Sequence, residues 1–174
     1  MARNATDVLS ATISAPSRTW VTKYPYQLVA SNGRYYLIGN YDKYNDLSHY
    51  RIDRITFIAI LSEPAKPQKE VRELSLGWSL PKHMAEHVYM FSGPSKNIKL
   101  ETTADMMSEL TDWFGNDFKI VSKKDDQITI RVSCNEEAMR FWALQYGAYV
   151  EVLEPESLRN RIKEDIKGMA DKYK

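Results

Sequence analysis

The chain has 174 residues, 43% of them hydrophobic, enough to bury a core in one or two small domains. Its net charge is +1, it carries a single cysteine, Cys134, and no apolar run approaches the length of a membrane span. These totals exclude an intramolecular disulfide framework, a cysteine-rich metal centre and a transmembrane helix; with an opening stretch that lacks the apolar core of a secretory signal, they predict a cytoplasmic protein.

The first half reads as β. YPYQLVA, RYYLIGNY and HYRIDRITFIAIL are runs of β-branched and aromatic residues separated by turn signals, which predicts an antiparallel meander. Asn32-Gly33 marks a hairpin, because both central positions of a type I′ turn need positive φ. In the third run the apolar parity slips near Asp53-Arg54, which predicts a bulge that redirects Arg54. SEPAKPQKEVREL, residues 62–74, has two prolines and mixed charge and reads as a linker.

A bridge, GWSLPKHMAEHVYMFSG, precedes a second pattern. NIKLETT predicts a strand, and DMMSELTDWF a helix with Met106, Leu110, Trp113 and Phe114 on one face, stopped by Gly115. FKIVSK and QITIRVS alternate as strands around KKDDQ. NEEAMRFWALQYG predicts a second helix, capped by Asn135, with Ala138, Phe141 and Trp142 facing inward. AYVEVLEP closes as a strand. The order βαββαβ is that of ferredoxin-like domains. A last helix over 155–174 steps its apolar residues Leu158, Ile162, Ile166, Met169 and Tyr173 by three and four, so one face must pack on something.

Little here resembles catalytic machinery. His83-Met84-Ala85-Glu86-His87 fits the H-x-x-E-H pattern of inverted zinc peptidases, but Pro81 and Gly93 confine any helix to about three turns, no downstream Glu is recognisably placed as third ligand, and a peptidase cleft needs more chain. A short connecting helix with partly exposed histidines is the simpler reading, and no metal, cofactor or catalytic residue is expected. Cys134 lies at a strand-to-helix junction without a visible base, which favours a structural thiol. No glycine-rich phosphate loop occurs. NIKLETT and QITIRVS carry no aromatics, which argues against base stacking on the second sheet.

The stretch SNGRYYLIGNYDKYNDLSHYRIDRI is different. Residues 18–54 hold six Lys/Arg against three acids, interleaved with tyrosines. Arg51 and Arg54 offer planar guanidiniums suited to phosphate, and Tyr35, Tyr36, Tyr41 and Tyr44 could stack a base or donate a hydroxyl. The competing reading has the tyrosines filling half-buried strand positions and Arg51 paired with Asp53 or Asp46.

At RYYLIGN followed by HYRIDRI the sequence resembles the WYL domain family of bacterial regulatory domains, with Tyr35-Tyr36-Leu37 in place of the Trp-Tyr-Leu triplet. The resemblance extends over about residues 20–174, through LPKHMAEHVYMFSG, NEEAMRFWALQYG and VEVLEPESLR, which are similar to the C-terminal WCX-type extension of such regulators. It implies an α+β chain: an atypical segment 1–19, a small Sm/SH3-like antiparallel β-barrel at 20–62, a linker and bridging helix at 63–96, a ferredoxin-like extension at 97–154, and a C-terminal helix at 155–174.

The resemblance also implies a ligand-sensing role in transcription, with the ligand a single-stranded nucleic acid or nucleotide-like effector. It carries the family's basic, aromatic pocket onto Tyr36, Arg51 and Arg54, with Tyr26, His49 and Tyr35 beside them. Two departures are expected: no room for the N-terminal helix-turn-helix, and no recognisable first helix and strand of the barrel in MARNATDVLSATISAPSRTW. An incomplete barrel would favour a homodimer or pairing with a helix-turn-helix WYL regulator. The alternative is a protein-interaction module or accessory subunit without its own ligand.

Overall fold

Strand-forming runs dominate the first half of the chain and short amphipathic helices enter in the second, and in the computed structural model these become two units, residues 1–78 and 79–174. The structure describes residues 9–14 and 21–174 except 42 and 76, with side chains from residue 24 onward.

The first unit is a five-stranded antiparallel sheet of β1 (Leu9–Ser14), β2 (Val21–Ser31), β3 (Arg34–Tyr41), β4 (Leu47–Arg51) and β5 (Phe57–Pro64), in the order β4-β3-β2-β1-β5. Asn32 and Gly33 take φ of 50° and 71°, the two positive values a type I′ turn demands, and set the register Ser31 to Arg34 and Val29 to Tyr36. Ile38, Leu47, Val29, Val71 and Leu74 are buried.

Three expectations for the first unit need correction. A strand does exist in the opening segment: β1 lies between β2 and β5, so the expected gap is filled by the chain's own LSATIS. Its three small or hydroxylated residues, Ser10, Thr12 and Ser14, hid it among polar neighbours. HYRIDRITFIAIL is two strands separated by a 3-10 turn at Ile52–Arg54, with β4 at one edge of the sheet and β5 at the other. The parity slip therefore marks a change of sheet position, because a chain leaving β3 to reach β1 must break its alternation. Residues 62–74 are more than a linker, since β5 continues to Pro64 and Val71 and Leu74 on helix α1 (Arg72–Ser75) are buried. Glu73 accepts a hydrogen bond from the Leu47 amide at 2.9 Å, and the Arg72 guanidinium meets Asp46 at 2.6 Å. These contacts fasten the segment to the start of β4.

The second unit begins with α2 (Leu80–Glu86), with Pro81 in its first turn. Its sheet follows from β6 (Ser95–Thr103), β7 (Phe118–Lys124), β8 (Gln127–Asn135) and β9 (Glu151–Glu154), in the antiparallel order β7-β8-β6-β9. Helices α3 (Met107–Phe114) and α4 (Glu136–Gln145) separate the strands, and α5 (Glu156–Asp171) follows β9.

Alternation along β8 sends Ile128, Ile130, Val132 and Cys134 to one face, where Ile98 and Leu100 of β6, Leu110 and Phe114 of α3, and Trp142 of α4 complete a core. Asn135 caps α4, its Oδ1 accepting from the Glu137 and Ala138 amides at 3.0 and 3.1 Å. Gly115 ends α3 with φ 58°. Phe141, expected inside, is 51% exposed, and Met139 takes the buried place. The inward stripe of α4 thus runs through Ala138, Met139, Trp142 and Ala143, spaced by one and three. His83 and His87, expected to be partly exposed, are both buried, with stacked rings 4.1 Å apart. Along α5 only Leu158 and Ile162 are buried; Ile166, Met169 and Tyr173 continue the stripe into solvent.

Candidate anion-binding site on the first sheet

Pairing of β3 with β4 sets Tyr36 directly opposite Arg51 and Ile38 opposite His49. Residues opposed in an antiparallel pair share a face, and residues two apart on a strand do too. Tyr36, Ile38, His49 and Arg51 therefore lie on one face of the sheet, with Tyr36 and Arg51 at the end next to the 3-10 turn. Tyr36 and Ile38 are buried, His49 is half-buried, and the Arg51 side chain keeps 22% of its surface in solvent.

The Arg51 fork is engaged. Its Nε donates to Asp53 Oδ1 at 3.0 Å and its Nη2 to Asp53 Oδ2 at 2.5 Å, a bidentate pair across the first residues of the 3-10 turn. The hydrogen bonds from Arg51 hold the Asp53 carboxyl below its ordinary pKa, with the charge of Arg54 contributing in the same direction. Arg51 is in turn held more firmly protonated, by Asp53 first and in lesser part by the nearby Tyr36. Arg54 is exposed on the turn and makes no ion pair among the described residues. The turn is closed by the Ile55 amide donating to the Ile52 carbonyl at 3.1 Å.

The other expected residues are placed elsewhere. Tyr35 is 66% exposed, on the face opposite Tyr36. Tyr26 sits at the irregularity between Pro25 and Gln27, and its hydroxyl donates to the Lys66 carbonyl at 2.9 Å. Burial pushes that phenol up to about 12, so it acts as a donor that ties β2 to the segment after β5.

Asn40 was not singled out from the sequence, yet it is fully buried and donates from Nδ2 to the carbonyls of Tyr44 and Asp46, both at 2.8 Å. It thereby fixes the loop in which Tyr41 and Tyr44 meet edge to face at 5.4 Å and Lys43 lies 5.9 Å from the Tyr44 ring. Only an asparagine in an otherwise largely aromatic and aliphatic strand, four positions before a turn-forming YND, hinted at this role. Gly39 on the same strand leaves room for a close approach, since a Cβ there would stand 2.7 Å from the Tyr24 carbonyl oxygen.

Among the described residues, Cys134 is the free cysteine; it is fully buried in the second unit, and burial pushes its thiol up to about 12. No helix of the described residues is long and apolar enough to cross a membrane.

Residues 11–60 match the WYL domain and residues 95–170 the WCX domain. The chain belongs to the WYL-domain proteins, and within them to those in which a WCX domain follows the WYL domain. It is 24% identical over 150 residues to an uncharacterized HTH-type transcriptional regulator, YobV, of Bacillus subtilis (strain 168), a match that covers 86% of this chain and 45% of that protein. The chain thus spans less than half the length of that relative. Among solved structures, a CRISPR Cas-related protein is similar with a TM-score of 0.56 and 15% identity, over 96% of this chain and 47% of the other, which shows a shared fold. The proteasome accessory factor B/C of Arthrobacter aurescens aligns over 95% of this chain and 25% of its own, at 16% identity and a TM-score of 0.42.

Proposed function

We propose that this chain is a ligand-sensing regulatory module of a transcriptional regulator, and that it binds a short single-stranded nucleic acid or nucleotide-like anion through Tyr36, Arg51 and Arg54. The observation that carries the reading is the register pair Tyr36–Arg51 beside the Arg51–Arg54 turn: a phenol and two guanidiniums at one end of a sheet face. An anionic ligand gains charge-assisted hydrogen bonds from a planar fork and a donor from the phenol. His49, two residues from Arg51 on the same face, borders the site, and Tyr26 and Tyr35 lie outside it. The chemistry is recognition, with no catalytic residue, cofactor or metal invoked.

The same reading takes the first unit as an Sm/SH3-like barrel and the second as a ferredoxin-like domain. The strand order β4-β3-β2-β1-β5 with a 3-10 turn before β5 supports the first, and β7-β8-β6-β9 with α3 and α4 between strands supports the second. On this account the barrel expected at 20–62 is extended by β1, and the ferredoxin-like domain is taken as 97–154. A cytoplasmic setting and action as a homodimer or beside a helix-turn-helix regulator belong to the proposal as well.

A second reading, a protein-interaction module without its own ligand, draws on the uncovered apolar stripe of α5. Native mass spectrometry of the purified protein separates the two. A co-purifying nucleotide or oligonucleotide, lost on Arg51→Ala, supports the sensor; a protein partner retained by Arg51→Ala with no nucleotide supports the module.

A further inference from the structure

Strand β5 ends the order of the first sheet, with β1 on one side and, among the described residues, no strand on the other. Edge strands of stable monomers carry lysines, prolines or bulges that block further pairing. The first five residues of β5 have none of these. No charged residue stands between Arg54 and Glu63, Pro64 lies at the far end, and pairing with β1 is regular from Phe57 to Ile60. Ile58 and Ile60 project from one face and are 58% and 74% exposed.

The sequence of this edge is complementary to itself. A second copy of β5 related by a two-fold axis runs antiparallel to the first. When Ala59 faces its own copy, Ile58 faces the partner's Ile60 and Phe57 faces the partner's Leu61. Both isoleucine pairs then fall on one face, at the close spacing of directly opposed residues, and no charge in the paired stretch meets its own copy. A net charge of +1 adds little repulsion between whole chains. We infer that β5 is a homodimerisation edge, joining two copies of this chain through an isologous antiparallel strand pair centred on Ala59. Five residues make a strip about 17 Å long and one strand wide, which covers less than the roughly 800 Å² per partner of a standard interface, so the dimer is reversible and concentration-dependent. The inference rests on the proposed homodimer and assigns its contact; it is independent of the anion site.

The test is sedimentation velocity of the full chain over a dilution series. Wild type should pass from monomer to dimer and no further. Ile60→Lys should weaken the dimer by at least about tenfold, because two isoleucines per dimer lose their burial, and leave the circular dichroism of the monomer unchanged. The register is read with Ile58→Cys and Ile60→Cys under oxidised glutathione. Mixed, the two variants should cross-link with each other more than either does alone, while Cys134 stays buried and takes no part. A dimer as tight in Ile60→Lys as in wild type overturns the inference and leaves a homodimer formed elsewhere. Assemblies larger than a dimer, or equal cross-linking in mixed and unmixed samples, overturn the two-fold register. A wild-type chain that stays monomeric throughout the series overturns the homodimer reading as well, with the anion site untouched.

Discussion

Tyr36 and Arg51 face each other across β3 and β4, and Arg51 reaches forward to Asp53 in the turn that ends β4. The pairing depends on the Asn32-Gly33 hairpin, because a slip of one residue would move Tyr36 to the face now held by Tyr35. Gly33→Val, which places a β-branched residue at φ 71°, should cost about 1–2 kcal/mol or more and lower the unfolding midpoint. A midpoint equal to wild type, read by circular dichroism, would show that the turn does not set the register.

The cap on α4 offers a cleaner energetic test, because Asn135 is buried and serves both amides and the Ser92 carbonyl. Asn135→Ala should destabilise by about 1–2 kcal/mol, Asn135→Asp by less, since aspartate caps well and suits the helix N-terminus. Urea titrations of the two variants should separate in that order.

Along α5 the burial changes abruptly after Ile162. Leu158→Ala should cost about 2–5 kcal/mol, as for any fully buried leucine, whereas Met169→Ala should shift stability by about 0.5 kcal/mol or less in a monomer. A larger loss at Met169 that grows with protein concentration would show that a second copy covers the stripe.

Cys134 should resist alkylation by iodoacetamide in the native protein and react once it is unfolded. Its thiol is raised by burial, so the folded state retains a proton that the unfolded chain releases near pH 9. That contribution to stability is complete below the unfolded pKa and is lost as pH rises toward 12. Cys134→Ser should lack this thiol's contribution to the pH dependence, so its stability falls less steeply with pH than wild type, while it loses stability from a buried hydroxyl. Rapid labelling of the native protein would contradict the buried placement.

Much of the second unit was legible because its signals are local. Asn135 as a cap, Gly115 as a stop and the alternation in QITIRVS each act within one turn or strand, so the residues themselves carry the instruction. The exposure of Phe141 was not legible, because which of two adjacent apolar residues enters the core depends on how α4 is rolled over the sheet. The Asn32-Gly33 hairpin was readable for the same local reason as the caps. Strand β1 and the crossing to β5 were not, since both depend on pairing between residues about 45 apart, Ile13 with Ile58. At the candidate site the sequence offered both a ligand-ready Arg51 and an Arg51 paired to Asp53. The structure contains the ion pair, with the Asp53 side chain 58% exposed and that of Arg51 22% exposed.

The central claim is most directly tested by measuring how binding of a short single-stranded oligonucleotide depends on salt in wild type, Arg51→Ala, Arg54→Ala and Arg51→Lys. Each arginine that contacts a phosphate should contribute about 0.7 to the slope of log K against log salt, so each alanine variant should bind more weakly with a slope shallower by about that amount. Arg51→Lys should keep the slope and still lose affinity, because an ammonium cannot reproduce the fork. Equal affinity and equal slope in all four proteins, with folding intact, would contradict an anion site at Arg51 and Arg54.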